Sequence, residues 1–198
     1  MKILCCDIDD TLAQTSATLL ANLQISVTPQ ISKQPVTYIL ENYKIIEYEE
    51  LFLDDAAVLQ IKKLLESNKF LLELPPFEGA TTALQLAIKS FDHIVYLTSR
   101  LEKFAQTTSS WLHNWSFPKG KIVHRADQEF RPNWKRYYIQ RNFGKDDVAW
   151  VDDEPGDVIA GDSSRLILSD FYGYYANKNE RALQFNADQI LTKWLDFP

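Results

Sequence analysis

The sequence predicts an α/β fold, a Rossmann-like parallel sheet flanked by helices with a small, mostly helical insertion after the first strand. Three observations support this prediction. Short apolar runs of strand length recur along the 198-residue chain, helix-like stretches lie between most of them, and one early segment departs from the alternation. Strands that alternate with helices are typical of a parallel sheet covered on both faces. The chain length suits one such domain with an insertion.

Four apolar runs have the length of a buried strand, and polar or acidic residues follow each of them. Strands that are buried on both faces are apolar throughout rather than alternating, as these runs are. The predicted strands are Ile3–Ile8, His93–Thr98, Asp147–Val151 and Arg165–Leu168.

Helix-like stretches separate or follow these strands. Apolar residues recur in them at helical spacing, and Pro132 and Gly144 stand near the start and end of one stretch, where such residues favour helix boundaries. The predicted helices are Ala80–Lys89, Glu102–His113, Asn133–Asn142 and a final helix over Asn179–Leu195.

The segment between Leu12 and Pro75 does not follow the strand-helix alternation. Three stretches within it look helical, and the Pro75–Pro76 pair precedes the return of the alternating pattern. These stretches are Val36–Tyr43, Glu50–Gln60 and Ile61–Lys69. We therefore interpret this segment as a small, mostly helical insertion into the α/β domain.

Composition excludes several classes of protein. The net charge of −6 argues against general nucleic-acid binding, which depends on neutralising phosphates. No apolar run approaches the ~20 residues of a membrane-spanning helix, and the N-terminus turns acidic too early for a secretory signal. Cys5 and Cys6 are adjacent in a predicted strand, so their side chains point to opposite faces and are poorly placed to bridge. We expect reduced thiols and a cytoplasmic protein; nothing indicates an oligomeric state.

Acidic side chains stand at the ends of the first and third predicted strands or directly after them. The first strand runs into Asp7, Asp9 and Asp10, and the third runs into Asp152 and Asp153. Ligands of parallel α/β sheets bind at the carboxyl ends of the strands, and clustered carboxylates suit Mg²⁺. The alternative is that these residues only cap helices and form turns.

Hydroxyl groups and a guanidinium follow the second strand, in the sequence Thr98-Ser99-Arg100. Together with the amides at a helix start, such groups can hold phosphate oxygens. A Thr-Ser helix cap is the alternative interpretation. Lys135 lies in a predicted helix ahead of the second acidic pair, where a surface lysine would also be ordinary.

In this order the motifs resemble those of the haloacid-dehalogenase-like (HAD) superfamily of phosphotransferases and phosphohydrolases. Its pattern is Asp-x-Asp-x-Thr, a strand ending in Thr or Ser, a Lys, and a strand ending in paired acids. Asp10 stands where many members have glycine. The resemblance implies a catalytic core over residues 1–12 and 78–198 and a small helical cap over 13–77 that covers the site and selects the substrate.

The resemblance also implies a role for each matched residue. Asp7 would be the nucleophile that forms an aspartyl-phosphate, and Asp9 would act as general acid and then general base. The residues implied in substrate binding are Thr11, Thr98, Ser99, Arg100 and Lys135. Those implied in holding Mg²⁺ are Asp7, Asp9 (through its backbone carbonyl), Asp152 and Asp153. Two choices stay open: Lys121 is the alternative to Lys135, and Asp157 is the alternative to Asp153.

The implied activity is Mg²⁺-dependent hydrolysis of a small phosphorylated metabolite. Three segments also resemble the 5′(3′)-deoxyribonucleotidase-like branch, which suggests a nucleoside monophosphate, with sugar phosphates as alternatives. These segments are Pro76–Ala80, Leu97–Arg100 and Thr107–Leu112. Two other functions remain open. The basic segment Lys119–Lys145 is consistent with a polynucleotide-end phosphatase, and grouped acids with a lysine also occur in non-catalytic phosphoacceptor modules.

Overall fold

The computed structural model describes residues 1–22, 55–126, 133–156, 164–171 and 187–197. Its strands form one six-stranded sheet in the order β3-β2-β1-β4-β5-β6, with all neighbouring pairs parallel. The strands are β1 (Lys2–Cys6), β2 (His93–Leu101), β3 (Lys121–Arg125), β4 (Asp147–Asp152), β5 (Arg165–Ser169) and β6 (Gln189–Leu191). The predicted α/β fold with a parallel sheet is confirmed.

Helices lie between these strands in the described part of the chain. They are α1 (Thr15–Asn22), α2 (Asp55–Leu65), α3 (Asn68–Glu73), α4 (Ala80–Ala87), α5 (Ala105–Asn114) and α6 (Trp134–Phe143). Two short 3-10 helices, Glu102–Phe104 and Trp194–Asp196, complete the elements. No helix among the described residues is both long and apolar enough to span a bilayer.

Alternate residues of each central strand enter two separate cores, one on each face of the sheet. In β1, Leu4 and Cys6 join the larger core, which includes Trp111 and Trp194. Ile3 and Cys5 join the smaller core, to which α6 contributes Trp134 and Ile139. The two cysteines are free and buried, and burial raises the pKa of the Cys5 thiol to about 12. Burial on both faces explains why these strands are apolar throughout.

The four predicted strands are present, and two further strands were not predicted. β3 forms the edge of the sheet, and its side chains are exposed or half-buried rather than apolar and buried. β6 lies inside the segment predicted as the final helix, so the described part of that helix prediction is wrong. Parallel pairing of Ile190 with Leu168 of β5 overrides local propensity there. The remainder of that prediction, residues 179–186, lies outside the described residues.

The insertion also differs in detail from its prediction. Helix α2 is continuous across Gln60 and Ile61, where two separate helices were predicted. The break comes at Ser67, because its hydroxyl caps α3 by accepting a hydrogen bond from the Phe70 amide at 3.3 Å. Phe70 and Leu71 of α3 are buried in the larger core. The predicted helix Val36–Tyr43 lies outside the described residues, and the cap over 13–77 stays a prediction.

Candidate active site

The acids that follow β1 and β4 lie together because the two strands are neighbours. Cys6 pairs with Val151 in the sheet, and the Asp7 amide continues the ladder by donating to the Val151 carbonyl at 2.9 Å. Asp7 is thereby placed beside Asp152 and Asp153. Each of these three side chains is buried and offers a carboxylate oxygen, and the three oxygens lie within 4.8 Å of one another.

Lys135 is the cation at this carboxylate cluster. It comes from the first turn of α6, and its Nζ lies 2.7 Å from Asp7 Oδ1 and 2.8 Å from Asp152 Oδ2. Its side chain is 9% exposed. Lys121, the alternative considered from the sequence, is exposed on β3 and donates from Nζ to the Tyr138 hydroxyl at 2.8 Å.

Charge is unbalanced in this cluster. Burial raises the pKa of Asp7 to about 7, although Lys135 opposes the shift. Burial, together with repulsion from Asp7 and Asp152, also raises the pKa of Asp153 well above its usual range. For Lys135, burial acts to lower the pKa, but the facing carboxylates outweigh it and raise the pKa. One ammonium among three carboxylates leaves an excess of negative charge in a buried place.

The cluster fits a divalent metal ion. Its donors are hard carboxylate oxygens, close enough to share one cation, and a cation would offset the charge that Lys135 leaves unbalanced. Mg²⁺ binds through one or two carboxylates and keeps its other positions for water and phosphate oxygens. Asp157, the alternative third acid, lies outside the described residues.

Two side chains support acids of the cluster: Trp150, which the sequence did not assign to the site, and Thr11, which it assigned to the substrate. Trp150 Nε1 donates to Asp152 Oδ2 at 3.1 Å, and the Thr11 hydroxyl donates to Asp153 Oδ1 at 3.3 Å.

Arg136 is buried beside Lys135, and its Nε donates to the carbonyls of Pro155 and Gly156, each at 3.2 Å. Arg136 therefore holds the loop that follows the acidic pair. In the sequence, only the position of Arg136 next to the candidate lysine pointed to a role at the site.

Asp10 has a left-handed backbone with φ of 55°. This conformation favours glycine over residues that carry a Cβ. The Asp10 side chain supplies a compensating contact, because Oδ1 accepts a hydrogen bond of 2.8 Å from the Ser16 amide near the start of α1. That amide is one of the donors that a helix leaves unpaired at its N-terminus. Asp10 thus fixes the first turn of the helix that follows the candidate nucleophile.

We expect Asp10→Ala to be less stable than Asp10→Gly by about 1 kcal/mol in free energy of unfolding. Both variants lose the contact with the Ser16 amide and the same negative charge, but only alanine keeps a Cβ in the left-handed conformation. Urea denaturation of the two variants and the wild type measures the difference. Equal stability of the two variants would show that the backbone at this position is not strained.

The three residues at the end of β2 have different surroundings. Thr98 is buried, and its hydroxyl accepts a hydrogen bond of 3.1 Å from the Arg100 amide. The sheet register shifts between Thr98 and Leu101. Ser99 is exposed, and its hydroxyl accepts a hydrogen bond of 3.3 Å from Trp134 Nε1. The strand end therefore presents Thr98 to the interior and Ser99 to the surface.

Arg100 pairs with Asp9 rather than standing alone. Its Nε donates to Asp9 Oδ2 at 2.9 Å and its Nη2 donates to Asp9 Oδ1 at 2.8 Å. The Thr15 hydroxyl donates to the same Oδ1 at 2.7 Å. Burial acts to raise the pKa of Asp9, but Arg100 and Thr15 outweigh it and lower the pKa. Asp9 is half-buried, in contrast to Asp7.

The chain is similar to known proteins in its structure and not in its sequence. No protein-family model matches the chain, and no curated protein matches it either. A HAD family hydrolase from Deinococcus radiodurans R1, whose crystal structure holds phosphate and sodium, superposes with a TM-score of 0.61 at 13% identity, over 98% of this chain and 92% of that one. A haloacid dehalogenase-like family protein from Streptococcus pneumoniae gives 0.60 at 15% identity, over 98% and 95%. A predicted phosphatase from Clostridium acetobutylicum gives 0.57 at 17% identity, over 96% and 92%.

These similarities extend over nearly the whole of both chains in each case. The chain therefore has the fold of the HAD hydrolases, as the resemblance of its motifs implied. The similar structures do not single out the 5′(3′)-deoxyribonucleotidase-like branch.

Proposed function

We propose that the chain is a Mg²⁺-dependent phosphomonoesterase that acts through an aspartyl-phosphate on a small phosphorylated metabolite. The observation that carries this proposal is the buried cluster of Asp7, Asp152 and Asp153 with Lys135 at 2.7 Å from Asp7. A carboxylate can attack an anionic phosphate only where positive charge offsets their repulsion. The HAD fold, and the phosphate in the Deinococcus hydrolase, support the same function.

In the first step, an Asp7 oxygen attacks phosphorus and the bond to the ester oxygen breaks. Asp9 gives a proton to the departing oxygen, so that the alcohol leaves neutral. In the second step, water attacks the same phosphorus and gives a proton to Asp9. The bond between phosphorus and Asp7 then breaks, which releases inorganic phosphate and regenerates the Asp7 carboxylate.

The other residues of the site hold charge and orient groups. Lys135 would bind the transferring phosphoryl group from the Asp7 side, and Thr98 and Ser99 would bind its oxygens from the end of β2. Asp7, Asp152, Asp153 and the backbone carbonyl of Asp9 would hold Mg²⁺. The bound ion supplies charge that stabilises the equatorial phosphate oxygens in the transition state. We assign Thr11 to support of Asp153, since its hydroxyl already donates to that carboxylate.

The substrate proposed is a small phosphomonoester, and a nucleoside monophosphate is the first choice. The motifs shared with the 5′(3′)-deoxyribonucleotidase-like branch support it, and the helical segment 13–77 would serve as the cap that selects it. The two free, buried thiols support a reducing compartment such as the cytoplasm. A phosphoacceptor module that forms aspartyl-phosphate without turnover is the alternative function that the assay below distinguishes.

The test is phosphate release from an aryl phosphate and from a panel of nucleotides and sugar phosphates, with Mg²⁺ or EDTA. We expect turnover that requires Mg²⁺ and returns when Mg²⁺ is added back after EDTA. Turnover that is insensitive to EDTA would contradict the metal assignment. Stable phosphorylation of Asp7 without phosphate release would favour the phosphoacceptor module.

We expect Asp153→Asn to raise the Mg²⁺ concentration for half-maximal activity by about tenfold or more, since even side chains that only support a metal ligand contribute this much. A second readout is the rise in Tm on adding Mg²⁺, which reports binding to the folded state alone. Asp92→Asn is the matched control, because Asp92 is exposed beside the amino end of β2 and bonds the Lys2 amide. An unchanged Mg²⁺ requirement in Asp153→Asn would contradict the assignment.

A further inference from the structure

Arg100 holds Asp9 through both oxygens of its carboxylate. The Nε and Nη2 of the guanidinium donate to Oδ2 and Oδ1 at 2.9 and 2.8 Å. The Arg100 side chain is 4% exposed and that of Asp9 is 30% exposed. Two parallel hydrogen bonds from a planar guanidinium fix the plane of a carboxylate as well as its position. Asp9 is therefore oriented by a residue on the neighbouring strand.

Arg100 is itself fixed on several sides. Its backbone amide donates to the Thr98 hydroxyl at 3.1 Å, and its carbonyl lies 3.2 Å from His124 Nδ1. Its guanidinium carbon stands 5.9 Å from the ring centroid of Trp111, which is buried in the larger core. The shift in register after Thr98 occurs in the same stretch of strand. Arg100 therefore has little freedom to change its position when a substrate binds.

The sequence predicted that Arg100 binds the phosphate of the substrate, and the geometry favours another role. Two of its side-chain nitrogens already donate to Asp9. The third, Nη1, has no hydrogen-bond partner among the described residues but is shielded from solvent. Binding phosphate through Nε and Nη2 would release Asp9, the group that the proposed mechanism needs beside the reacting phosphate. We propose that Arg100 is a positioning residue for Asp9 and not a phosphate ligand, an inference that rests on the proposed function.

The same contacts indicate which oxygen of Asp9 moves the proton. A carboxylate has about four lone-pair sites, two on each oxygen. Oδ1 accepts from Arg100 and from Thr15, so both of its sites are used. Oδ2 accepts from Arg100 alone among the described residues. Oδ2 therefore keeps one site, from which it exchanges a proton with the leaving oxygen in the first step and with water in the second.

The experiment compares Arg100→Gln, Arg100→Lys, Asp9→Asn and the double variant Asp9→Asn/Arg100→Gln. The readouts are kcat, KM and inhibition by inorganic phosphate. We expect Arg100→Gln to lower kcat by tenfold or more while KM and the inhibition constant for phosphate stay within twofold of wild type. Arg100→Lys keeps one donor to the carboxylate and should recover part of kcat. The double variant should be no slower than Asp9→Asn, because Arg100 acts through Asp9.

Several results would overturn the inference. A tenfold rise in KM and in the phosphate inhibition constant, with kcat retained, would make Arg100 a phosphate ligand. A double variant slower than Asp9→Asn by the full factor of Arg100→Gln would make the two residues independent. Arg165→Gln is the matched control, because Arg165 is exposed at the start of β5. Its kcat should equal that of wild type.

Folding and function are separated by a second measurement. Thermal unfolding of the wild type, Asp9→Asn, Arg100→Gln and the double variant forms a double-mutant cycle that requires no turnover, and we expect the shifts in Tm to be non-additive. Additive shifts would contradict the pairing itself. Absence of turnover by the wild type on every compound would overturn the proposed function, and the catalytic role of Arg100 with it. Turnover by the wild type with kcat unchanged in Arg100→Gln would overturn the inference alone.

Discussion

Asp7→Asn is expected to lower kcat by about 10⁴-fold or more, the size of effect that loss of a nucleophile has in other covalent enzymes. The amide of asparagine matches the carboxylate in shape but lacks the negative charge that attacks phosphorus. Lys135 would keep its contact with Asp152, so the fold of the cluster is preserved. Phosphate release from the best substrate of the panel, measured with Mg²⁺ in excess, tests this prediction.

The control for Asp7→Asn is the same substitution at Asp196, which is exposed in the 3-10 helix near the C-terminus. Asp196→Asn should turn over as the wild type does. Slow deamidation would convert the asparagine back to aspartate and restore activity, so mass spectrometry of the intact variant must confirm that position 7 is still asparagine. Activity within tenfold of wild type in a variant that is still asparagine would contradict the nucleophile assignment.

Lys135→Met is expected to have the second largest effect, a loss of about 10²–10³-fold in kcat. Methionine fills a similar volume but removes the charge that faces Asp7 and Asp152 at 2.7 and 2.8 Å. It also leaves three buried carboxylates without a cation, which lowers the free energy of unfolding by about 3 kcal/mol in the presence of EDTA. Added Mg²⁺ should restore part of that stability, because it supplies positive charge to the same oxygens.

Lys121→Met is the matched control for Lys135→Met, and it also decides between the two lysines weighed from the sequence. Lys121 is exposed and bonds the Tyr138 hydroxyl, so its loss should leave kcat and stability near wild type. Steady-state kinetics and chemical denaturation of both variants give the comparison. A large loss of kcat in Lys121→Met with little change in Lys135→Met would reverse the assignment.

β1 and β4 were predictable because strands that are buried on both faces carry apolar side chains along nearly their whole length. The sequence of β3 carries no such signal, since an edge strand keeps polar and half-buried side chains. β6 has three residues and owes its conformation to pairing with β5. Sequence reasoning therefore found the centre of the sheet and missed both of its edges.

The candidate site likewise combines features that the local sequence predicts with contacts between residues far apart in the chain. The acids could be predicted to meet because each follows a strand, and parallel strands end on the same side of a sheet. The pairing of Arg100 with Asp9 joins residues 91 positions apart, and no local pattern records it. Arg136 likewise resembles a surface arginine in sequence, although it is buried and holds the loop after the acidic pair.

The central claim is that Asp7 carries the phosphoryl group during turnover, and chemical trapping tests it most directly. Wild-type protein is mixed with substrate and Mg²⁺, quenched in acid and reduced with borohydride, which converts an aspartyl-phosphate to homoserine. Peptide mass spectrometry then locates the change. We predict homoserine at position 7 in the wild type, and none without substrate or in Asp7→Asn. Phosphate release by the wild type with position 7 unmodified, or with the change at another aspartate, would contradict the claim.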